Sequence, residues 1–153
     1  MSWDVHLLKF HGGAEANFDL GAAEAVLRGA SGFLEAEPGV GELGSSDIYY
    51  GPAPSSDVMV AVRAASPAVF QLIYDLAVEL RMVVFFPTEA SWGVAVVERS
   101  QVDDFPNASW DGWERFDDGF TPPAPIVCQS ADDLGAALAP AYNGWETWSR
   151  RGG

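Results

Sequence analysis

The chain of 153 residues carries 22 acidic side chains against 8 basic ones, a formal net charge of −14, and 48% hydrophobic residues. That apolar content excludes a disordered chain, which has too little to bury. The charge argues against nucleic acid and anionic membranes, both of which recruit Lys and Arg, and leaves two uses for the acidity: keeping the chain solvated, or steering in a basic protein partner.

Trp3 to Phe10 opens the chain as a strand. Trp3, Val5 and Leu7 alternate with His6, Leu8 and Phe10, so both faces are largely apolar, as in a central strand. From Asp19 to Leu34 the spacing turns helical. Leu20, Ala23, Val26, Leu27, Ala30, Phe33 and Leu34 share one face, Asp19 is placed as its N-cap, and Gly29 and Gly32 weaken its last turns. Glu35 to Ser46, with Pro38, Gly39, Gly41 and Gly44, reads as a loop. Strands follow at 47–50 and 57–63, the second alternating Val58, Val60 and Val62 with Met59, Ala61 and Arg63. Ser66-Pro67 starts a second helix that runs to Arg81, with Val69, Phe70, Ile73, Leu76, Ala77 and Leu80 as its apolar stripe. Met82 to Phe86 reads as a fully buried strand and Trp92 to Val97 as its hairpin partner. Gln101 to Pro125 has no clear period. Ser130 to Asp133 matches a capping box before a short helix over 132–138, and 143–148 suits a final turn.

This order predicts an α+β protein with a ferredoxin-like split βαβ core, an antiparallel sheet carrying two helices on one face. The chain reads as one domain, a core over 1–98 followed by an irregular acidic-aromatic C-terminal extension over 99–153. Cys128 stands alone, which suits a reducing compartment. The opening Met-Ser-Trp-Asp-Val-His lacks the basic and apolar regions of a signal peptide, and no apolar run is long enough to span a bilayer. A cytoplasmic protein is expected.

No metal site is expected. His6 and His11 do not combine with Cys128 into any ligand spacing of zinc. Cys128 has no local His to lower its pKa, and a Gly-x-Ser-x-Gly elbow is absent. Gly39-Val-Gly41-Glu-Leu-Gly44 spells G-x-G-x-x-G, but a dinucleotide site needs that motif after a strand and opening a helix, and here it follows a helix and leads into a strand. The pairs Asp103-Asp104, Asp117-Asp118 and Asp132-Asp133 divide acid and base duties only where burial separates their pKa values. Adjacent Asp residues in polar loops are more often turn formers, and Asp132-Asp133 sits at a helix start. No catalytic residue and no cofactor is assigned, and the reading leans away from an enzyme.

Residues 103–120 stand out, because their acids interleave with Phe105, Trp110, Trp113, Phe116 and Phe120. Tryptophans are enriched at interface hot spots, and acidic rims steer basic partners. Asp103, Asp104, Trp110, Asp111, Trp113, Asp117 and Asp118 are therefore the candidate partner-binding residues. The same aromatics serve equally well to pin an irregular segment onto the sheet.

In size, acidity and lack of a catalytic signature the chain resembles bacterial immunity proteins that neutralise toxins. Its opening Met-Ser-Trp-Asp-Val-His-Leu-Leu also resembles that of small bacterial proteins beginning with such a strand. The resemblance implies a non-catalytic protein-binding module, an immunity protein or inhibitor that neutralises a basic toxin or nuclease. The alternative is a small-ligand-binding protein or enzyme using the open face of the sheet, for which a pocket lined by His6, Tyr49 and Tyr50 would speak.

Overall fold

Strand β1 (Trp3–His11) is the axis of the fold in a computed structural model of the chain, which describes residues 2–52, 56–89, 91–106, 110, 112–113 and 124–151. Apolar on both faces, it is paired on both edges, antiparallel with β6 (Asp57–Val62) and with β7 (Met82–Pro87). Beyond β6 lie β5 (Ser46–Tyr49), β4 (Val40–Leu43) and β3 (Phe33–Glu37); beyond β7 lie β8 (Trp92–Val96) and β9 (Ile126–Val127). The sheet has nine strands in the order β3-β4-β5-β6-β1-β7-β8-β9, with β2 (Ala14–Glu15) folded back on β1. Among the described residues only the β8–β9 pair is parallel. Four helices accompany it among the described residues: α1 (Leu20–Gly29), α2 (Pro67–Leu80), α3 (Gln101–Asp104) and α4 (Ala131–Arg150). The protein is thus α+β, as expected, but its sheet is larger than a ferredoxin-like one. Among the described residues no helix is long and apolar enough to cross a membrane.

Two segments account for the extra size. The first helix stops at Gly29, where Ala30 turns extended at φ −80°, and Gly32 at φ +89° leads into β3. The loop expected over 35–46 is the β3–β4 hairpin. Pro38-Gly39 forms its tip, with Gly39 at φ +82°, the pattern of a type II turn, and Gly44 at φ +61° turns β4 into β5. Between them Gly41 lies beneath the Phe33 ring, where a Cβ would come within 2.3 Å of Cζ. The three glycines of the G-x-G-x-x-G match therefore serve two turns and one close approach. The last third departs from expectation as well. A short helix is expected over 132–138, and Pro140 just beyond it lacks an amide donor and crowds the preceding turn. Instead α4 continues through Pro140 to Arg150. Leu134, Leu138 and Tyr142 keep helical spacing on both sides of the proline and are all buried, and that tertiary burial offsets a local cost of about 3 kcal/mol.

The strand alternation separates two cores. Trp3, Val5 and Leu7, with Val58, Val60, Val62, Met82, Val84 and Phe86 from the neighbouring strands, face α1, α2 and α4. The opposite residues Leu8, Phe10, Val83, Phe85, Val94 and Val96 face away from those helices and form the second core with Trp113, against which Phe105 and Trp110 pack. Buried Gln101 on α3 fastens this side. Its Oε1 accepts from the amides of Val97 (2.8 Å) and Glu98 (3.0 Å), and its Nε2 donates to the Met82 carbonyl (3.3 Å). Among the described residues the second core covers β1, β7 and β8, with Val127 of β9 packed against it.

Candidate functional site

The structure divides the acidic-aromatic segment. Trp113 is only 4% exposed and lies within 5.9 Å of Phe85, 5.6 Å of Phe105 and 4.9 Å of Trp110, measured between ring centroids. Half-buried Trp110 stands edge-on to Phe10 at 5.1 Å, and Gly112 has no side chain to obstruct its ring. Asp103 is exposed on α3. Asp104 is half-buried and holds the β1–β2 turn, accepting from the amide of Gly12 through Oδ1 (2.9 Å) and from that of Gly13 through its carbonyl (3.0 Å). Asp111, Asp117 and Asp118 lie outside the described residues.

On the same side of the sheet, and among the described residues, strands β3 to β6 contribute nothing to the second core. Register aligns Asp4, Ala61, Asp47, Glu42 and Leu34 in one row across β1, β6, β5, β4 and β3. His6, Met59, Tyr49, Val40 and Glu37 form the next row. The surface is acidic: Asp4, Glu37, Glu42, Asp47 and Asp57 stand against Arg63, which pairs with Asp47. His6 Nδ1 lies 3.6 Å from Asp57 Oδ1, longer than a hydrogen bond. Set among the acids, Tyr49 is 38% and Leu34 63% exposed. From β1 to β3 the face is about 19 Å wide, four strand spacings. Tyr50 is turned the other way and buried, its hydroxyl donating to Glu35 Oε1 at 3.3 Å. A pocket of His6, Tyr49 and Tyr50 is thus not formed, since successive strand residues point to opposite faces.

Two clefts sit at the two ends of β1. The one at its start, about 390 Å³, lies between α4 and the β7–β8 connection and is lined by Trp3, Glu89, Ala141, Gly144, Trp145 and Trp148. The one at its end, about 570 Å³, is lined by Lys9, His11, Asn17, Arg81, Gln101 and Asp104. Three of its polar groups are committed to the fold: Gln101 and Asp104 as described, and Arg81 to Glu98 at 3.3 Å.

No protein-family model, curated protein or solved structure matches this chain. Its chemistry is read from its own residues. Among the described residues no three His, Cys, Asp or Glu side chains gather where a metal could bind. Burial, reinforced by Asp133, pushes the Cys128 thiol above its ordinary value of 9.0, so it stays protonated near neutral pH and is a poor nucleophile. Burial and Glu35 likewise raise Tyr50 above 10.0. The folded chain holds these protons more tightly than the unfolded one. The stability they leave intact below the unfolded-state values therefore falls as pH rises through them. Urea melts are expected to weaken progressively above about pH 9. At pH 7 a thiol reagent should modify Cys128 only as fast as the chain opens; immediate stoichiometric labelling would show the thiol to be accessible.

The acidic sheet face and the tryptophan cleft were not singled out from the sequence. Asp4, Asp47 and Asp57 each stand two residues before a member of the second row, a period visible in the strand pattern. The cleft joins residues 3, 89 and 141–148, which only the topology brings together.

Proposed function

We propose that the chain is a non-catalytic protein-binding module whose partner is a basic protein, in the manner of an immunity protein or inhibitor that neutralises a basic toxin or nuclease. The observation that carries this reading is the acidic sheet face, where Tyr49 and Leu34 are exposed amid Asp4, Glu37, Glu42, Asp47 and Asp57. Tyrosine is a preferred interface anchor, and an acidic surround speeds encounter with a basic surface. The adjoining aromatics Trp110 and Trp113 serve in this reading as scaffold, and exposed Asp103 adds to the field. In fold, we read β5, β6, β1 and β7 with α1 and α2 as a ferredoxin-like core. The neighbour order β7-β1-β6-β5 supports it, with β3–β4 added at one edge and β8–β9 at the other.

The test uses a partner recovered from the native cell on the immobilised chain. Replacing Asp4, Glu37 and Glu42 by the matching amides leaves the Asp47–Arg63 and His6–Asp57 pairs in place. That variant is expected to associate about tenfold more slowly in low salt, with a flatter salt dependence. Tyr49→Ala should instead act on dissociation, speeding it tenfold or more if the ring is an anchor. Retention of no partner, or association untouched by the three amides, overturns the reading.

A further inference from the structure

We propose that the cleft between α4 and the β7–β8 connection binds an organic cation, an alkylated ammonium or a guanidinium group. It lies at the start of β1 beside the helices, apart from the acidic sheet face, and the proposal stands whether or not that face binds a protein. Trp145 and Trp148 line it above buried Trp3, which is 1% exposed and forms its floor, and Glu89 supplies a carboxylate. Tryptophan is the strongest cation–π partner among the side chains, and aromatic cages of this composition suit ammonium groups that cannot be satisfied by hydrogen bonds alone. The volume of about 390 Å³ falls in the range of small-ligand sites.

The residues are held in ways that leave the cleft open. Trp3 Nε1 donates to the Pro87 carbonyl at 3.1 Å, which satisfies its polar atom within the fold. Its ring is braced by Phe86 at 6.3 Å and by Tyr142, edge-on, at 5.6 Å, and Tyr142 in turn meets Trp145 at 5.7 Å. Trp148 lies six residues past Tyr142, the last buried residue of α4, and is 53% exposed. Between these tryptophans stands Gly144. A Cβ there would lie 2.8 Å from Glu89 Oε1, so glycine lets the carboxylate come down onto the helix. The nearest carboxylate of the final turns, Glu146, is taken by Arg150 at 2.9 Å. Arg151 lines the adjoining hollow with Glu89 and Trp148 and not the cleft itself. The net charge of −14 draws cations toward the protein at long range.

The experiment follows the tryptophan indole N–H resonances of the full chain by NMR during titration with choline, with N-acetyl-arginine amide, and with 3,3-dimethylbutan-1-ol, the neutral isostere of choline. At least one cation should shift the resonances of Trp145 and Trp148 saturably and bind about tenfold more tightly than the isostere. Tighter binding of choline assigns the site to a free small cation, and tighter binding of the arginine amide to a side chain of a partner; either result upholds the site. Trp148→Ala and Glu89→Gln change exposed side chains and should melt as the parent does. The first should weaken the cation about tenfold and the second several-fold. Gly144→Ala should weaken it like Glu89→Gln while leaving the helix at least as stable. Equal affinity for the neutral isostere, or no saturable shift with either cation, overturns the proposal.

Discussion

Replacing Trp113 by alanine is expected to cost about 3–5 kcal/mol of folding stability, the usual range for deleting a buried tryptophan. The ring is 4% exposed and is the closing member of the second core, resting on Phe85, Phe105 and Trp110. Its loss would open a cavity beside Phe85, Phe105 and Trp110. For a chain of this length the midpoint of thermal unfolding should fall by something on the order of 10 °C. Asp103→Asn, on the exposed side of α3, is the matched control and should stay within about 0.5 kcal/mol of the parent. The comparison decides what the segment is for. A Trp113 variant that melts with the parent yet loses a partner would return the tryptophans to the interface. An early melt with the partner's association rate unchanged assigns them to the scaffold.

Parts of this architecture were legible because the pattern and the tertiary structure agree. Trp3 to Phe10 is apolar on both faces and lies between two strands; Ser66-Pro67 caps and starts α2, with the Ser66 side chain accepting from the Val69 amide at 3.3 Å; Met82 to Phe86 is buried throughout. Where they diverge, local chemistry is ambiguous. Pro38-Gly39 and Gly44 mark a loop and a pair of hairpin turns equally well, and only the pairing of Val40 with Tyr49 and of Phe33 with Leu43 makes them turns. Pro140 is a local reason to end a helix, overruled by buried Leu134 and Leu138 before it and Tyr142 after it. The candidate sites were less legible still. Which strands carry the second core depends on where Trp110 and Trp113 land, and nothing in residues 103–120 says that they land on Phe10 and Phe85. Asp4 and Glu42 become neighbours of Tyr49 only through strand register, and Glu89 meets Gly144 only because α4 runs on past its proline.

Gln101→Leu tests whether the polar residues around the cleft at the end of β1 hold a ligand or hold the fold. Gln101 lines that cleft and is polar, which makes it a tempting binding residue. Its geometry argues otherwise. Both ends of the amide are engaged by backbone, accepting from Val97 and Glu98 where β8 ends and donating to Met82 where β7 begins. Leucine keeps much of the volume but leaves those buried or half-buried groups without their partner, at about 1–3 kcal/mol for each group that water cannot reach. A total near 3 kcal/mol is expected, because the Glu98 amide at the rim recovers part of its solvation. The damage should spread in a particular direction. With α3 loosened, Asp104 loses its position under the β1–β2 turn, so the amides of Gly12 and Gly13 should exchange with solvent faster than those of β6, which do not depend on α3. Hydrogen exchange on the variant measures this directly. Unchanged protection at Gly12 and Gly13 with unchanged stability would mean that Gln101 is dispensable to the fold, and the cleft would then have to be reconsidered as a site for a polar ligand.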